Sequence, residues 1–196
     1  MHPYLQRLGI RPEVDSFFRP FYFSDAAGDL RFSYGDSTEH FGLAFHRVPA
    51  TQRSWQTTCL RPRHLFISSS AMDAIIYLNK YYSYFANLDT LLFISVGNHS
   101  KQIKAPPDCQ VTLLFHNDLL GRIADLKIAC GLRKLPVHLA IKNDHVEVLF
   151  KYKRYLFEPA LFSLNAFEKA SGQRFGIRTH KPKNQVSWTT FNSNPP

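Results

Sequence analysis

Short apolar runs alternate with amphipathic segments through the middle of the chain, and this alternation constrains the fold more than any other feature. Residues 71–85 carry apolar side chains every three or four positions, and residues 119–130 do the same, so both segments are predicted to form helices. Strands that alternate with helices in this way form a mostly parallel α/β sheet with helices on both faces. The strands are predicted at 64–68, 90–97, 110–116 and 136–142.

The flanking segments follow other patterns. Near the start, extended runs at 30–34 and 40–48 surround a turn sequence, which predicts a β-hairpin in a small α+β segment. Residues 145–157 alternate apolar and polar side chains and could form a hairpin with 136–142, and a helix is predicted at 158–172. The basic end is expected to be partly disordered. The predicted divisions are an N-terminal α+β segment (1–60), an α/β domain (61–172) and a basic tail (173–196).

The charge of the chain favours a polyanionic partner. Its 196 residues include 24 Lys and Arg against 15 Asp and Glu, which gives a formal net charge of +9. Nucleic acid is therefore the expected partner. No apolar run is long enough to span a membrane, so no membrane partner is expected. The three cysteines form no CxxC pair, which predicts neither a zinc site nor a disulfide framework and favours a cytoplasmic protein.

A strand followed by a loop, a carboxylate and a helix occurs twice. The first copy is LFISSSAMDAIIYL (65–78), which contains Asp73, and the second is VTLLFHNDLLGRIADLKIA (111–129), which contains Asp118. In α/β sheets, ligands bind where the carboxyl ends of strands meet the amino ends of helices. A carboxylate at that edge can hold a divalent metal ion, and the metal ion can hold phosphate.

These two segments, in this order, resemble the TOPRIM (topoisomerase–primase) fold of bacterial primases and of TOPRIM-like proteins from plasmids and mobile elements. In that family the first strand ends in EGxxD, and Asp73 occupies the aspartate position. The third strand ends in DNDxAGR, and HNDLLGR retains four of its residues. The stretches YLQRLGI and GDLRFSYGDSTEHFGLAFHRV are similar to the start of the primase core and to its hairpin, so the resemblance covers about residues 3–142. The four family residues that HNDLLGR retains are Asn117, Asp118, Gly121 and Arg122.

Two departures from the family pattern bear on activity. Ser69 stands where the family has its glutamate, and His116 replaces the first aspartate of the third strand. The resemblance implies a general acid or base at the first position and a magnesium site in the acidic cluster, but serine supplies no carboxylate and histidine is a poor magnesium ligand. The nearest match to a further metal-binding aspartate is Asp144. The resemblance therefore implies the fold more strongly than catalysis.

Each residue at this edge has a structural alternative. Asp118, His116 and Asp73 are the candidate ligands for Mg²⁺ or Mn²⁺, and Ser69 stands at the catalytic position of the family. Asp118 could instead cap its helix, and Asp73 could interact with the helix dipole. His116 could be a structural remnant, or it could bind a softer metal beside Asp118.

Basic clusters interleaved with aromatic residues form a second signal. Lys and Arg contact phosphates, and exposed aromatic side chains stack on bases. Tyr152, Tyr155 and Phe175 are the aromatic candidates, although each basic cluster could also be an ordinary solvated surface. The candidate nucleic-acid-binding residues are Arg61, Arg63, Lys101, Lys104, Arg122, Arg133, Lys134, Lys151, Lys153 and Arg154.

Three functions remain open at this point. The first is a catalytically degenerate, TOPRIM-like nucleic-acid-binding protein, an accessory in the replication or mobilisation of a mobile element. For this function DNA is expected as the partner in preference to RNA. The second is an active, metal-dependent primase-like or nuclease-like enzyme with a substituted site. The third is a protein-interaction domain whose basic charge has no role. A DNA affinity that falls steeply with salt would favour the first function, and metal binding that needs both Asp118 and His116 would favour the second.

Overall fold

The structure is a computed structural model that describes residues 1–97, 103–183 and 185–189. Helices and strands are numbered in chain order. The helices are α1 (Pro3–Arg7), α2 (Pro12–Phe18), α3 (Ala71–Tyr81), α4 (Leu119–Leu132) and α5 (Leu164–Ser171). The strands are β1 (Phe23–Ser24), β2 (Leu30–Tyr34), β3 (Ser37–Phe41), β4 (His46–Arg47), β5 (Trp55–Gln56), β6 (His64–Ser68), β7 (Leu91–Ser95), β8 (Gln110–Leu113), β9 (Val137–Lys142), β10 (His145–Phe150), β11 (Lys153–Phe157) and β12 (Arg178–Thr179).

The centre of the molecule is a mixed, mostly parallel sheet. Its strand order is β12-β8-β6-β7-β5, and all neighbours are parallel except β5, which runs antiparallel to β7 at one edge. The predicted strands at 64–68, 90–97 and 110–116 form β6, β7 and β8, and the predicted helices form α3 and α4. A mixed α/β fold with a mostly parallel sheet is therefore confirmed.

The N-terminal segment forms a second, antiparallel sheet with the order β1-β2-β3-β4. The predicted hairpin is confirmed as β2 paired with β3, and Gly35 in its turn has a φ of +78°. The second run, predicted as one extended segment at 40–48, instead forms two strands. β3 begins earlier, at Ser37, and a turn at 42–45 separates it from β4. Alternate residues Leu30, Phe32 and Tyr34 of β2 are fully buried, as expected for a sheet with one face on the core.

The predicted fourth strand of the parallel sheet does not join that sheet. Residues 137–142 form β9, which pairs antiparallel with β10 in a separate three-stranded sheet of order β11-β10-β9. The alternative hairpin is thus the one that forms. Its turn residues, Asn143 and Asp144, both have positive φ, the backbone conformation that a two-residue hairpin requires. Local pairing across this turn keeps β9 with β10.

Two clusters of buried side chains hold these layers together, and β6 contributes to both. Phe66 belongs to the cluster formed with α1, α2, α3 and the N-terminal sheet. Leu65 and Ile67 belong to the cluster formed with α4, α5 and the three-stranded sheet. Successive residues of a strand point to opposite sides, so one strand supplies apolar surface to both clusters.

The C-terminal segment contributes to the packing wherever the structure describes it. The sequence predicts a partly disordered tail from residue 173, but residues 178–179 form β12 beside β8, and Phe175 and Trp188 are 1% and 4% exposed. The Trp188 indole N–H donates to the carbonyl oxygen of Leu114 at 2.7 Å. Pairing with the open edge of β8 and burial of two aromatic rings explain the order in residues 173–183 and 185–189.

Among the described residues, none of the helices combines the length and the apolar character that crossing a membrane requires.

Candidate functional site

The predicted site lies where β6 and β8 end. These strands are parallel neighbours in the sheet, although β7 lies between them in sequence. From β6 the chain continues through α3 to β7, which is the neighbour of β6 on one side, and β8 is its neighbour on the other side. The gap between β6 and β8 is therefore a topological switch point, where α/β sheets bind ligands. A cavity of about 440 Å³ opens there, lined by Ser69, Val96, Gly97, Phe115, His116, Asp118, Leu120, Gly121, Ile123, Ala124 and Lys127.

Ser69, Asp73 and His116 form a hydrogen-bonded group beside this cavity. Ser69 Oγ donates to Asp73 Oδ2 at 2.9 Å, and His116 Nε2 lies 3.3 Å from the same carboxylate oxygen. The Asp73 side chain is 1% exposed. The hydrogen bond to Asp73 raises the pKa of His116, and burial opposes this shift. The group therefore favours a protonated imidazole that balances a buried carboxylate.

This arrangement differs from that of a Ser-His-Asp hydrolase. In such a triad the serine and the carboxylate contact different ring nitrogens, so that the ring can pass a proton between them. Here Ser69 Oγ is 3.4 Å from His116 Nε2, and Asp73 contacts that same nitrogen. The serine hydroxyl also donates to Asp73, so the geometry holds the imidazole in place and does not activate Ser69 as a nucleophile.

Asp118 has a different position from the other predicted metal residues. It is the N-cap of α4, and its Oδ1 accepts a hydrogen bond from the Gly121 amide at 2.6 Å. In residues 1–97, 103–183 and 185–189 there is no group of three or more His, Cys, Asp or Glu side chains that could hold a metal ion. Asp144 lies in the exposed β9–β10 turn and does not line the cavity. Of the predicted ligands, Asp73 and His116 contact each other, and Asp118 lines the same cavity as His116.

The C-terminal segment adds residues that the sequence prediction missed. Lys181 Nζ is 2.6 Å from Asp125 Oδ2, and it donates to the carbonyl oxygens of Phe115 and His116 at 3.2 and 3.1 Å. Burial raises the pKa of Asp125 to about 6 and lowers the pKa of Lys181. Ser187 Oγ is 3.2 Å from His116 Nε2. An acidic residue between Ala124 and Leu126, near the apolar face of α4, is the sequence signal that could have indicated Asp125.

Glu39 of the N-terminal sheet is a second missed residue. Its fully buried carboxylate accepts hydrogen bonds from the backbone amides of Ala71 and Met72, at 2.8 and 3.2 Å, at the start of α3. Tyr34 donates to the same group at 2.6 Å, and burial, followed by the Glu39 charge, raises the pKa of that tyrosine. A carboxylate at a helix amino terminus is electrostatically favourable. Glu39 therefore positions the helix that carries Asp73.

The predicted nucleic-acid-binding residues fall into two groups, those whose side chains have a hydrogen-bond or ion-pair partner in the protein and those whose side chains have none among the described residues. Lys101 lies outside the described residues. Four of the others have partners within the protein. Arg122 donates to the carbonyl oxygens of Asp118 and Ala160, Arg133 to that of Phe175, Lys151 to the Gln173 side chain, and Arg154 pairs with Glu147.

The remaining five form no hydrogen bond or ion pair through their side chains within the described part of the chain. They are Arg61, Arg63, Lys104, Lys134 and Lys153, and all five are exposed. The aromatic candidates differ in exposure. Tyr152 is fully exposed, Tyr155 packs against Phe167, and Phe175 is buried, so base stacking on Phe175 is not possible in this structure.

Comparison with known proteins adds no relative to this description. The chain matches no protein-family model, no curated protein and no solved structure.

Proposed function

We propose that this is a nucleic-acid-binding protein with a catalytically degenerate, TOPRIM-like domain, acting in the cytoplasm as an accessory in DNA replication or mobilisation of a mobile element. The net charge of +9 supports a polyanionic partner. The contact between Ser69 and His116 supports the TOPRIM-like part of the proposal, because it brings the two motif positions together across β6 and β8.

One observation supports the non-catalytic part of the proposal: the carboxylates at the carboxyl edge already make hydrogen bonds within the protein. Asp118 caps α4, and Asp73 is held by Ser69 and His116. Phosphoryl transfer through two metal ions needs several carboxylates directed at the ions. The two positions where the family has further acids are Ser69 and His116, and neither supplies one.

Fluorescence anisotropy with labelled single-stranded and duplex DNA, over a salt series and with or without Mn²⁺, tests this function. We expect affinity that falls steeply with salt and does not change with metal. The Asp118→Asn variant should bind equally well, since asparagine preserves the helix cap while removing the charge. Cleavage or synthesis of DNA that needs Mn²⁺ and is lost in Asp118→Asn would refute the non-catalytic proposal. No binding at any salt concentration would refute the nucleic-acid proposal.

A metal-dependent enzyme is the second candidate, and one observation favours it. Asp73 Oδ1 is buried and has no hydrogen-bond partner among the described residues. A buried carboxylate oxygen without a partner is costly unless a cation or water contacts it. Calorimetric titration with Mn²⁺ tests this candidate: binding to the wild type that is lost in Asp73→Asn would support it, and no heat of binding would exclude it.

A further inference from the structure

The amino-terminal edge of the parallel sheet carries four of the five candidate nucleic-acid-binding cations that have no side-chain partner among the described residues. Arg61 and Arg63 directly precede β6, and Lys104 lies in the loop before β8. Arg133 and Lys134 follow the end of α4, which returns the chain to this edge. We call these five residues the basic edge. It lies at the opposite end of the strands from Ser69 and His116.

Two adjoining surface depressions bring the basic edge together. One, of about 770 Å³, is lined by Arg61 and Arg63. The other, of about 690 Å³, is lined by Lys104, Arg133 and Lys134. Both depressions are also lined by Pro106, Pro107 and Asp108, so they meet along one short loop. The five cations therefore surround a single continuous surface, although they are up to 73 positions apart in the sequence.

The charges of this surface are available to a ligand. Of the five candidate cations without a partner in the described part of the chain, four belong to the basic edge, and Lys153 is the exception. Among the described residues, Asp108 is the one carboxylate that lines either depression. The fifth member, Arg133, is held in place by hydrogen bonds from its guanidinium to the Phe175 carbonyl oxygen. Unpaired cations release condensed counterions from nucleic acid when they neutralise phosphates, which favours binding.

Prolines restrict the backbone at this surface. Pro62, Pro106 and Pro107 line the surface, and proline fixes the backbone φ angle. A surface that is rigid before binding loses less conformational entropy when it binds. The long side chains would then be the main groups that become ordered against a ligand.

We propose that the basic edge is the surface that binds the phosphate backbone of nucleic acid, away from the carboxyl edge where the TOPRIM resemblance would place it. This inference rests on the proposed nucleic-acid function and assigns it to named residues. The contacts are to phosphates, so the surface binds without regard to base sequence.

The test compares three double variants, each of which lowers the net charge by the same amount. Lys104→Glu with Lys134→Glu changes the basic edge. Lys142→Glu with Lys169→Glu changes exposed lysines on β9 and α5 that lie outside the basic edge. Lys151→Glu with Lys153→Glu changes a further predicted basic cluster, at the β10–β11 turn and the start of β11. Anisotropy is measured with single-stranded and duplex DNA over a salt series, and circular dichroism checks that each variant is folded.

We expect the basic-edge variant to bind duplex DNA on the order of tenfold more weakly, with a salt dependence (log K against log salt) that is less steep by about 2. The β9–α5 variant should bind like the wild type. Equal losses in all three variants, or a loss confined to the β10–β11 turn, would overturn the assignment while leaving the nucleic-acid function intact. If the wild-type protein binds neither single-stranded nor duplex DNA, both the proposed nucleic-acid function and the assignment to the basic edge are refuted.

Discussion

The charge of His116 depends on the groups around its imidazole ring. Asp73 raises the pKa of His116 through a hydrogen bond, and Asp118 raises it through its charge. Burial and the Lys181 ammonium lower it. The net effect is an increase, so the protonated ring is more favourable in the folded protein than in the unfolded chain.

This increase makes the stabilising effect of His116 dependent on pH. A group whose pKa is raised by folding stabilises the protein fully below its unfolded pKa, here 6.5, and the effect is lost as the pH rises through the folded value. His116→Gln should therefore lower the free energy of unfolding more at about pH 5.5 than at about pH 8.5. Urea denaturation of both proteins at the two pH values measures the difference.

The Asp73→Asn variant provides the control for this prediction. Because Asp73 is the main cause of the increase, an NMR titration of the His116 ring should show a lower pKa in Asp73→Asn than in the wild type. An unchanged pKa in this variant, or an equal cost of His116→Gln at both pH values, would contradict the structural explanation.

Gly121, in the first turn of α4, lies so close to the loop that follows β8 that only a glycine fits at the contact. A Cβ atom placed on Gly121 would lie 2.1 Å from the His116 carbonyl oxygen, which belongs to the backbone and cannot move aside easily. Gly131 of the same helix has no atom within 4 Å of the equivalent position. Two glycines in one helix therefore have opposite steric environments.

The substitution of alanine at these two positions should have opposite effects on stability. Gly121→Ala should lower the free energy of unfolding by about 1–3 kcal/mol, because its Cβ forces the first turn of α4 away from the backbone of His116. Gly131→Ala should raise it by up to about 1 kcal/mol, because alanine favours the helical backbone. Thermal or urea unfolding measures both changes. A stabilising Gly121→Ala would show that the close approach is absent.

Elements defined by local sequence were the predictable ones. The strands β6, β7 and β8 and the helices α3 and α4 follow from apolar periodicity, and so does the meeting of Ser69, Asp73 and His116 at one edge. The sequence of β9 did not determine which sheet this strand joins, because its apolar pattern suits both the parallel sheet and the three-stranded sheet. The positive φ values of Asn143 and Asp144, which an Asn-Asp pair tolerates better than most residues, decide the local hairpin.

At the scale of the whole molecule, one buried ion pair fastens the C-terminal segment to α4. Lys181 and Asp125 are 2.6 Å apart, and their side chains are 20% and 2% exposed. Removing one member of such a pair leaves an uncompensated charge in the interior, which is more destabilising than replacing both members by apolar groups.

Lys181→Met should therefore lower the free energy of unfolding by about 3–5 kcal/mol, and adding Asp125→Leu should restore most of the loss. The deficit of Lys181→Met should shrink as the pH falls towards about 6 and change little below it. Lys181 lowers the pKa of Asp125, so in the variant that pKa lies above the wild-type value of about 6, and a protonated carboxyl costs less to bury. Denaturation of the single and double variants across this pH range measures both effects. A double variant as unstable as Lys181→Met would contradict the pairing.

Long-range contacts are what the sequence could not predict. Lys181 and Ser187 reach His116 from 65 or more positions away, and Glu39 binds the amides of Ala71 and Met72 from a different sheet. No periodicity connects such residues, because each contact depends on how complete layers pack. The basic edge could not be predicted for the same reason. The sequence identified its five residues one by one, but their proximity depends on the direction in which α4 returns the chain.

The position of β12 has a consequence for how the chain is made. Thr112 of β8 and its partner Arg178 are 66 positions apart in sequence, so the ribosome must synthesise the intervening chain before this edge of the sheet can close. At about 5–20 residues per second, that interval is about 3–13 s. During this time the nascent chain presents β8, with its apolar Val111 and Leu113, as an unpaired edge strand of the kind that associates with other chains. Synthesis of β12 is thus required before β8 gains its partner on this edge of the sheet.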